Sequence, residues 1–215
     1  MKRNLFLQLI ILFCLFAIPA HSQTLSEAEA RAWVMDKGDQ LLDAFIENDL
    51  EIKYKKLDNL FTQHVDLTYI GKFVIGKYWR AMTPEQQIEY QKLFERYALG
   101  VYKAFPLTFK ERVDYRVDKV NTKGKFTEVT TLIDLKKAEI EEITLTFYLD
   151  NQDGEIKIVD MKLLESSLIL SYRSRFQQMV LGVDEDMTWF LEDFETMVKS
   201  TEINNQLKLE AQQNR

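Results

Sequence analysis

Few side chains in this sequence could catalyse a reaction. Cys14 is the single cysteine, and the two histidines are His21 and His64. Cys14 and His21 lie in an N-terminal segment that has the features of a cleaved signal, which would leave His64 as the one imidazole. Asp66 is two residues away, but there is no serine motif, no second histidine and no metal-ligand spacing. We therefore predict no enzyme, no catalytic residue and no metal site, and we interpret His64 as a surface or capping residue between helices.

Charged side chains offer two other kinds of site. The acidic residues Glu141, Glu142 and 184–186 are typical of a solvated strand edge and of a helix start. Arg173 and Arg175 present the paired guanidinium donors that suit a phosphate group. The alternative for both arginines is a solvated position or an ion pair with neighbouring acids, and the sequence leaves that choice open.

The N-terminus predicts export. Lys2 and Arg3 precede an apolar run over residues 5–18, and small residues follow at 20–22. This is the layout of a secretory signal peptide, whose apolar core is shorter than a typical membrane span. We expect cleavage near Ser22, with an uncleaved anchor as the alternative.

Composition narrows the possible partners. Without Lys2 and Arg3, 26 basic residues face 34 acidic residues, a net charge of −8. That charge disfavours nucleic acid and broad adhesion to anionic lipid surfaces. Because Cys14 lies in the signal, disulfides and thiolate sites are excluded from the exported chain. We expect a soluble monomer stabilised by its hydrophobic core.

The spacing of apolar residues predicts helices, then strands, then helices. Helices are expected over residues 25–48 and 52–63, and a helix that starts at a Thr83–Gln86 capping box runs to about Phe105. Later helices are expected over residues 166–182 and 184–199.

Between these helices the apolar period changes to two. Four alternating runs begin at Val113, Val129, Ile143 and Ile156, and turn residues occupy 121–125 and 151–154. We predict an α+β fold: an antiparallel sheet of four strands, or slightly more, with helices packed over its one apolar face.

The segment over residues 66–80, DLTYIGKFVIGKYWR, is apolar on more than one helical face. A helix of this kind must be enclosed by protein or by a ligand. Gly71 and Gly76 lower its helix propensity by about 1 kcal/mol each, and close contact with another helix is our preferred reason for them.

Several pieces, in this order, resemble the MlaC family of periplasmic phospholipid-binding proteins. They are the export signal, YIGKFVIGKYWR at 69–80, TPEQQIEYQKLF at 83–94 and IKIVDMKLLESSLILSYRSRF at 156–176. The resemblance implies a curved sheet related to the NTF2-like fold, with an apolar cavity that holds a phospholipid by its acyl chains. It divides the chain into a signal peptide (1–22), a single lipid-binding domain (23–200) and a polar C-terminal tail (201–215).

The resemblance also implies a role. Such a protein is a soluble periplasmic carrier in the Mla lipid-transport pathway, and it maintains outer-membrane lipid asymmetry. Its partners are an outer-membrane lipoprotein/porin complex and an inner-membrane ABC transporter with an MCE-domain protein. It needs no cofactor, since the phospholipid is its cargo. The alternatives are a periplasmic NTF2-like enzyme and a ligand-free adaptor module.

A cavity of this kind would be lined by inward strand residues and by aromatic residues of the covering helices. The strand candidates are Val113, Tyr115, Val129, Ile133, Leu145, Phe147 and Ile158. The helix candidates are Tyr69, Phe73, Phe94, Tyr97, Phe105, Leu168, Tyr172 and Phe176. Arg173 and Arg175 are the candidates for contact with the headgroup.

The chain departs from the family pattern in two loops. Glu165 and Ser166 stand where the family often has glycine, and the turn DNQDGE lacks a Gly-Gly-Trp-like element. These differences concern local turn geometry and partner contacts rather than the cavity.

Overall fold

The computed structural model describes residues 24–104, 113–137, 140–152 and 154–214. The predicted signal peptide and Phe105 lie outside these described residues. Within them, no helix combines the length and the apolarity that a membrane span requires.

The helices form two groups separated by the strands. Before the strands come α1 (Glu27–Phe45), α2 (Leu50–His64), α3 (Leu67–Ile75), a 3₁₀ segment (Gly76–Arg80) and α4 (Pro84–Ala104). After them come α5 (Leu168–Gly182) and α6 (Met187–Gln213).

Side-chain caps fix the starts of the early helices. The hydroxyl of Ser26 accepts a hydrogen bond from the backbone N–H of Glu29, whose carboxylate accepts one from the Ser26 N–H in return. Thr83 and Gln86 form the same reciprocal pair at α4. Each pair satisfies two N–H groups that a helix start otherwise leaves without partners. The predicted capping box at Thr83 is confirmed.

The strands form an antiparallel meander in the order β1-β2-β3-β4-β5, a five-stranded sheet within the described part of the chain. They are β1 (Asp114–Lys123), β2 (Phe126–Lys137), β3 (Ile140–Gln152), β4 (Glu155–Leu163) and the short β5 (Ser166–Ser167). Register shifts at Val117/Lys119 and Tyr148/Leu149 mark bulges, which bend and twist strands and so contribute to the curvature of the sheet. The predicted α+β class is confirmed, while the relation to NTF2-like folds stays a prediction.

A short backbone bridge ties the helices to the sheet. Val65, directly after α2, pairs in parallel with Ile158 of β4, and the Asp66 N–H donates to the Ile158 carbonyl at 2.9 Å. The Asp66 carboxylate then caps α3 by accepting from the Tyr69 N–H at 2.8 Å. The end of α2 and the start of α3 are therefore fixed to one point on β4.

The main core is a cluster of aromatic rings between α3, α4, α5 and α6. At its centre Tyr90, Phe176, Phe190 and Phe194 are all fully buried, with ring centroids 5.0–6.3 Å apart. These spacings are typical of favourable aromatic pairs. The Tyr90 hydroxyl donates to the Gly71 carbonyl at 2.9 Å, so its one polar group is satisfied inside the core.

Helix α6 continues to Gln213, past the end predicted at Lys199. Its later turns are polar, which is why the apolar pattern ends early, but specific hydrogen bonds support them. The buried Asn205 amide donates to the Gly100 carbonyl of α4 at 2.9 Å. Further along, the Gln212 side chain donates to the Asn48 carbonyl at 2.7 Å and accepts from the Leu50 N–H at 2.9 Å.

Both glycines of residues 66–80 lie where a side chain would be crowded. A Cβ at Gly71 would lie 3.0 Å from the Phe94 ring of α4, so the close helix contact expected at this glycine is present. Gly76 has φ of +61°, a conformation that L-residues rarely adopt, and the Arg173 guanidinium lies 2.9 Å from where its Cβ would be.

Replacing Gly71 with valine should lower the free energy of unfolding by about 1–3 kcal/mol, because the added carbons overlap the buried Phe94 ring. Chemical denaturation followed by circular dichroism measures the change. The control is Gly182→Val, since nothing lies within 4 Å of a Cβ at Gly182. An equal loss in both variants would show that the contact with Phe94 is not the cause.

Candidate functional site

An apolar cleft lies between the sheet and the pair of helices α1 and α2. It encloses about 800 Å³ of space between protein atoms, part of it open to solvent. From the helices and the residue after α2, the lining comprises Trp33, Val34, Lys37, Gly38, Leu41, Leu42, Leu60, Phe61, His64 and Val65. From the sheet side it comprises Val113, Tyr115, Thr131, Ile133, Leu145, Phe147 and Ile158. Such a surface favours an apolar ligand over a polar one.

The sheet side of this lining follows from strand alternation and register. Tyr115 of β1 lies opposite Ile133 of β2, and Thr131 of β2 lies opposite Leu145 of β3. Directly opposed residues of antiparallel strands point to the same face, and so do residues two apart along one strand. The pattern that alternates in the sequence therefore becomes one continuous apolar surface.

The helical side follows from the spacing of residues along α1 and α2. Trp33, Lys37 and Leu41 are four residues apart and lie on one face of α1, while Leu60 and His64 hold the same spacing on α2. The faces of the two helices that meet the sheet are apolar apart from Lys37 and His64.

A close contact between Gly38 and Tyr115 holds α1 against β1. A Cβ at Gly38 would lie 2.5 Å from the Tyr115 hydroxyl oxygen, so the ring occupies the place that a side chain would need. The same hydroxyl lies 2.6 Å from the Met35 carbonyl and 3.0 Å from an Asp39 carboxylate oxygen. Helix α1, which covers the cleft, is thus anchored by Gly38 and Tyr115, and both residues line the cleft.

His64 closes one end of the lining. Its ring packs edge-on against Trp33, with centroids 5.7 Å apart. Burial lowers the pKa of the imidazole, and the nearby charges of Lys37 and Lys157 lower it further, against opposing effects of Asp36 and Glu155. His64 is therefore neutral near pH 7. Among the residues that the structure describes, no group of three or more His, Cys, Asp or Glu side chains could hold a metal ion.

The structure brings together six of the predicted strand residues: Val113, Tyr115, Ile133, Leu145, Phe147 and Ile158 all line the cleft. Val129 lies beside them but is fully buried, in a small core with Ala30, Val34, Val117 and Leu149. It contributes packing between α1 and the sheet.

The predicted helix residues lie elsewhere. Phe94, Tyr97 and Phe176 belong to the aromatic cluster, and Tyr172 packs against it. Tyr69 and Phe73 stack on each other at 6.2 Å, and Leu168, 42% exposed, opens α5. None of these residues is part of the cleft lining, and their contact with a ligand stays a prediction.

The predicted arginines also lie away from the cleft lining. Arg173 donates to the Phe73 carbonyl at 3.1 Å, and its guanidinium lies 4.8 Å from the centre of the Phe73 ring. It braces the end of α3 next to Gly76. Arg175 is exposed, and its guanidinium lies 3.6 Å from the Met197 sulfur. Contact of either residue with a headgroup stays a prediction.

The helical lining of the cleft was absent from the predicted set. Trp33, Leu41, Leu60 and Phe61 hold helical spacing in the sequence, and that spacing was the available signal. It was indistinguishable from the spacing of core residues in the later helices, where aromatic residues are more numerous.

Fold and site together define the class of protein: an α+β protein in which a curved antiparallel sheet and a helical pair enclose an apolar cleft. The model of the MlaC protein family matches residues 38–188, which is more than half of the chain. The chain belongs to the MlaC family, as its sequence pieces predict.

Known structures agree on the fold. One similar structure is that of the phospholipid-binding protein from Ralstonia solanacearum in complex with a phospholipid. The two chains share 18% identity and superpose with a TM-score of 0.63, covering 79% of this chain and 98% of the other. Among curated protein sequences, none shows significant similarity to this chain.

The lowered pKa of His64 predicts a pH dependence of stability. Between its pKa in the fold and its ordinary value of 6.5, the unfolded chain binds a proton that the folded chain does not. The free energy of unfolding should therefore fall as the pH drops through this range, and His64→Gln should reduce the fall. Denaturation midpoints of both proteins between about pH 8 and pH 5 test this. The same slope in both would contradict it.

Proposed function

We propose that this protein binds a phospholipid by its acyl chains in the cleft beneath α1 and α2. The observation that carries the proposal is the continuous apolar lining formed by the sheet and these two helices. Membership in the MlaC family supports it, as does the fold shared with a protein that was solved with a phospholipid bound.

The energetics explain why a cleft of this kind is needed. Each methylene withdrawn from water contributes about 0.8 kcal/mol, so two acyl chains with about 28 methylenes would cost on the order of 20 kcal/mol if exposed. In a shallow surface groove much of the acyl-chain surface would stay in water, so much of this free-energy cost would remain. Aliphatic and aromatic side chains on both sides, such as Leu41, Phe61, Leu145 and Phe147, can cover the chains instead.

We further propose that the protein is a soluble periplasmic carrier, exported with cleavage of its signal peptide near Ser22. It would carry lipid between an outer-membrane lipoprotein/porin complex and an inner-membrane MCE-domain ABC transporter, and so maintain outer-membrane lipid asymmetry. Moving acyl chains from a bilayer to the cleft exchanges one apolar environment for another, so the net free energy is small. A carrier can then load and unload without an energy source of its own, while the transporter supplies direction.

The first test is to extract the purified protein with organic solvent and to analyse the extract by mass spectrometry. We expect about one phospholipid per protein, since the cleft accommodates an amphiphile with its chains inside. Folded protein that carries no lipid, and that takes up none from phospholipid vesicles, would rule out the carrier role. It would favour a ligand-free adaptor instead.

Leu145→Trp should block lipid loading, because the larger side chain fills space on the sheet side of the cleft. We expect lipid content to fall several-fold while circular dichroism stays that of a folded protein. The matched control is Arg116→Trp, which places the same ring on β1 at an exposed position next to Tyr115 and on the opposite face of the sheet. Unchanged lipid content in folded Leu145→Trp would show that the acyl chains do not lie against this face.

A further inference from the structure

A polar recess adjoins the apolar cleft. It shares Trp33, Lys37 and His64 with the lining of the cleft, and it continues over the loop before β4 to Glu155 and Lys157. The recess is more open to solvent than the cleft, and most of its side chains are polar. An amphiphilic molecule has an apolar half and a polar half. The apolar cleft suits the first half and the adjoining polar recess suits the second.

The two lysines of the recess are more buried than the acidic residues with which they pair. The side chains of Lys37 and Lys157 are only 23% and 24% exposed, whereas their acidic partners Asp36 and Glu155 are 61% and 71% exposed. The ammonium groups are 2.8 Å and 2.6 Å from these carboxylates. The cations are therefore held by the protein, while the anions lie at the rim, where ion pairs contribute little and are easily exchanged.

Additional contacts place both lysines near the same end of α2. The Lys157 ammonium donates to the Gln63 carbonyl at 2.7 Å, which holds it against the end of α2. Lys37 reaches the same end of α2 from α1, since it lines the cleft and the recess together with His64. Both ammonium groups are close enough to His64 to lower the pKa of its imidazole. Two positive charges thus lie at the boundary that the cleft and the recess share.

We infer that the polar recess binds the phosphate group of the lipid, with Lys37 and Lys157 as its cationic contacts. This inference rests on the proposed function, because the phosphate is joined to the acyl chains through a glycerol and must lie within a few bonds of the chains in the cleft. The phosphate replaces the exposed carboxylates as partner of the two ammonium groups. Arg173 and Arg175, the candidates suggested by the sequence, line neither the cleft nor the recess.

The test compares two lipids with identical acyl chains, a phosphatidylglycerol and a diacylglycerol that lacks the phosphate. Each is offered in micelles of an uncharged glycoside detergent, which carries no phosphate, and binding to the purified protein is measured by transfer of a fluorescent acyl label. The variant is Lys37→Gln with Lys157→Gln. The control, Lys55→Gln with Lys92→Gln, removes the same charge from exposed positions outside the cleft and the recess.

We expect the affinity of the recess variant for phosphatidylglycerol to fall about tenfold or more, because two charge-assisted contacts are lost. Its affinity for diacylglycerol should fall far less, because that lipid has no phosphate for the lysines to hold, and the control should bind both lipids as the wild type does. Equal losses for both lipids would show that the lysines only support the cleft. No loss for either lipid, or a loss seen in Arg175→Gln instead, would overturn the assignment.

Two further outcomes distinguish failure of the proposed lipid-binding function from failure of the phosphate assignment alone. If the wild type binds neither lipid, the proposed function fails and the inference fails with it. In the second arm, carried out on wild type that binds phosphatidylglycerol, inorganic phosphate is titrated against the wild type and the recess variant by NMR. Phosphate that binds at the two lysines, while their removal leaves phosphatidylglycerol binding unchanged, would identify a free-anion site and overturn the lipid assignment.

Discussion

The bridge between Val65 and Ile158 is the constraint on which the arrangement of this fold depends. A single parallel pairing and one hydrogen bond from Asp66 bring the end of α2 and the start of α3 to the same position on β4. On one side of this point lies the cleft, to which both Val65 and Ile158 contribute. On the other side α3 enters the aromatic cluster through Val74 and Ile75. Each half of the molecule therefore takes its position from the same few backbone atoms.

The two halves differ in how their apolar side chains are packed. The aromatic cluster around Tyr90 and Phe176 is closely packed and has its polar hydroxyl satisfied, so it gains stability from burial without leaving space. The cleft does the opposite, because apolar side chains face a space that a ligand can fill. An apolar surface that is not packed against other side chains contributes less to stability than a packed core, and the neighbouring cluster is such a core.

The sequence predicted the strand side of the site better than the helix side. Strand alternation assigns a face to every residue, so Tyr115, Ile133 and Leu145 could be placed before the structure was known. Helical periodicity also assigns a face, but it does not say which neighbour that face meets. Phe94 and Phe176 meet other helices, whereas Trp33 and Phe61 meet the cleft, and nothing in their spacing distinguishes them. The end of α6 was missed for a related reason, since hydrogen bonds from Asn205 and Gln212 replace apolar burial there.

The contact of Gln212 with the loop between α1 and α2 links distant parts of the chain. The Gln212 side chain forms hydrogen bonds with both sides of that loop: it donates to the Asn48 carbonyl and accepts from the Leu50 N–H. The loop between α1 and α2, the two helices over the cleft, is thus held by the last turn of α6. Residue 212 is consequently a reporting position: a spectroscopic label on the last turn of α6 would lie beside the loop between α1 and α2, so its signal would depend on the position of that loop.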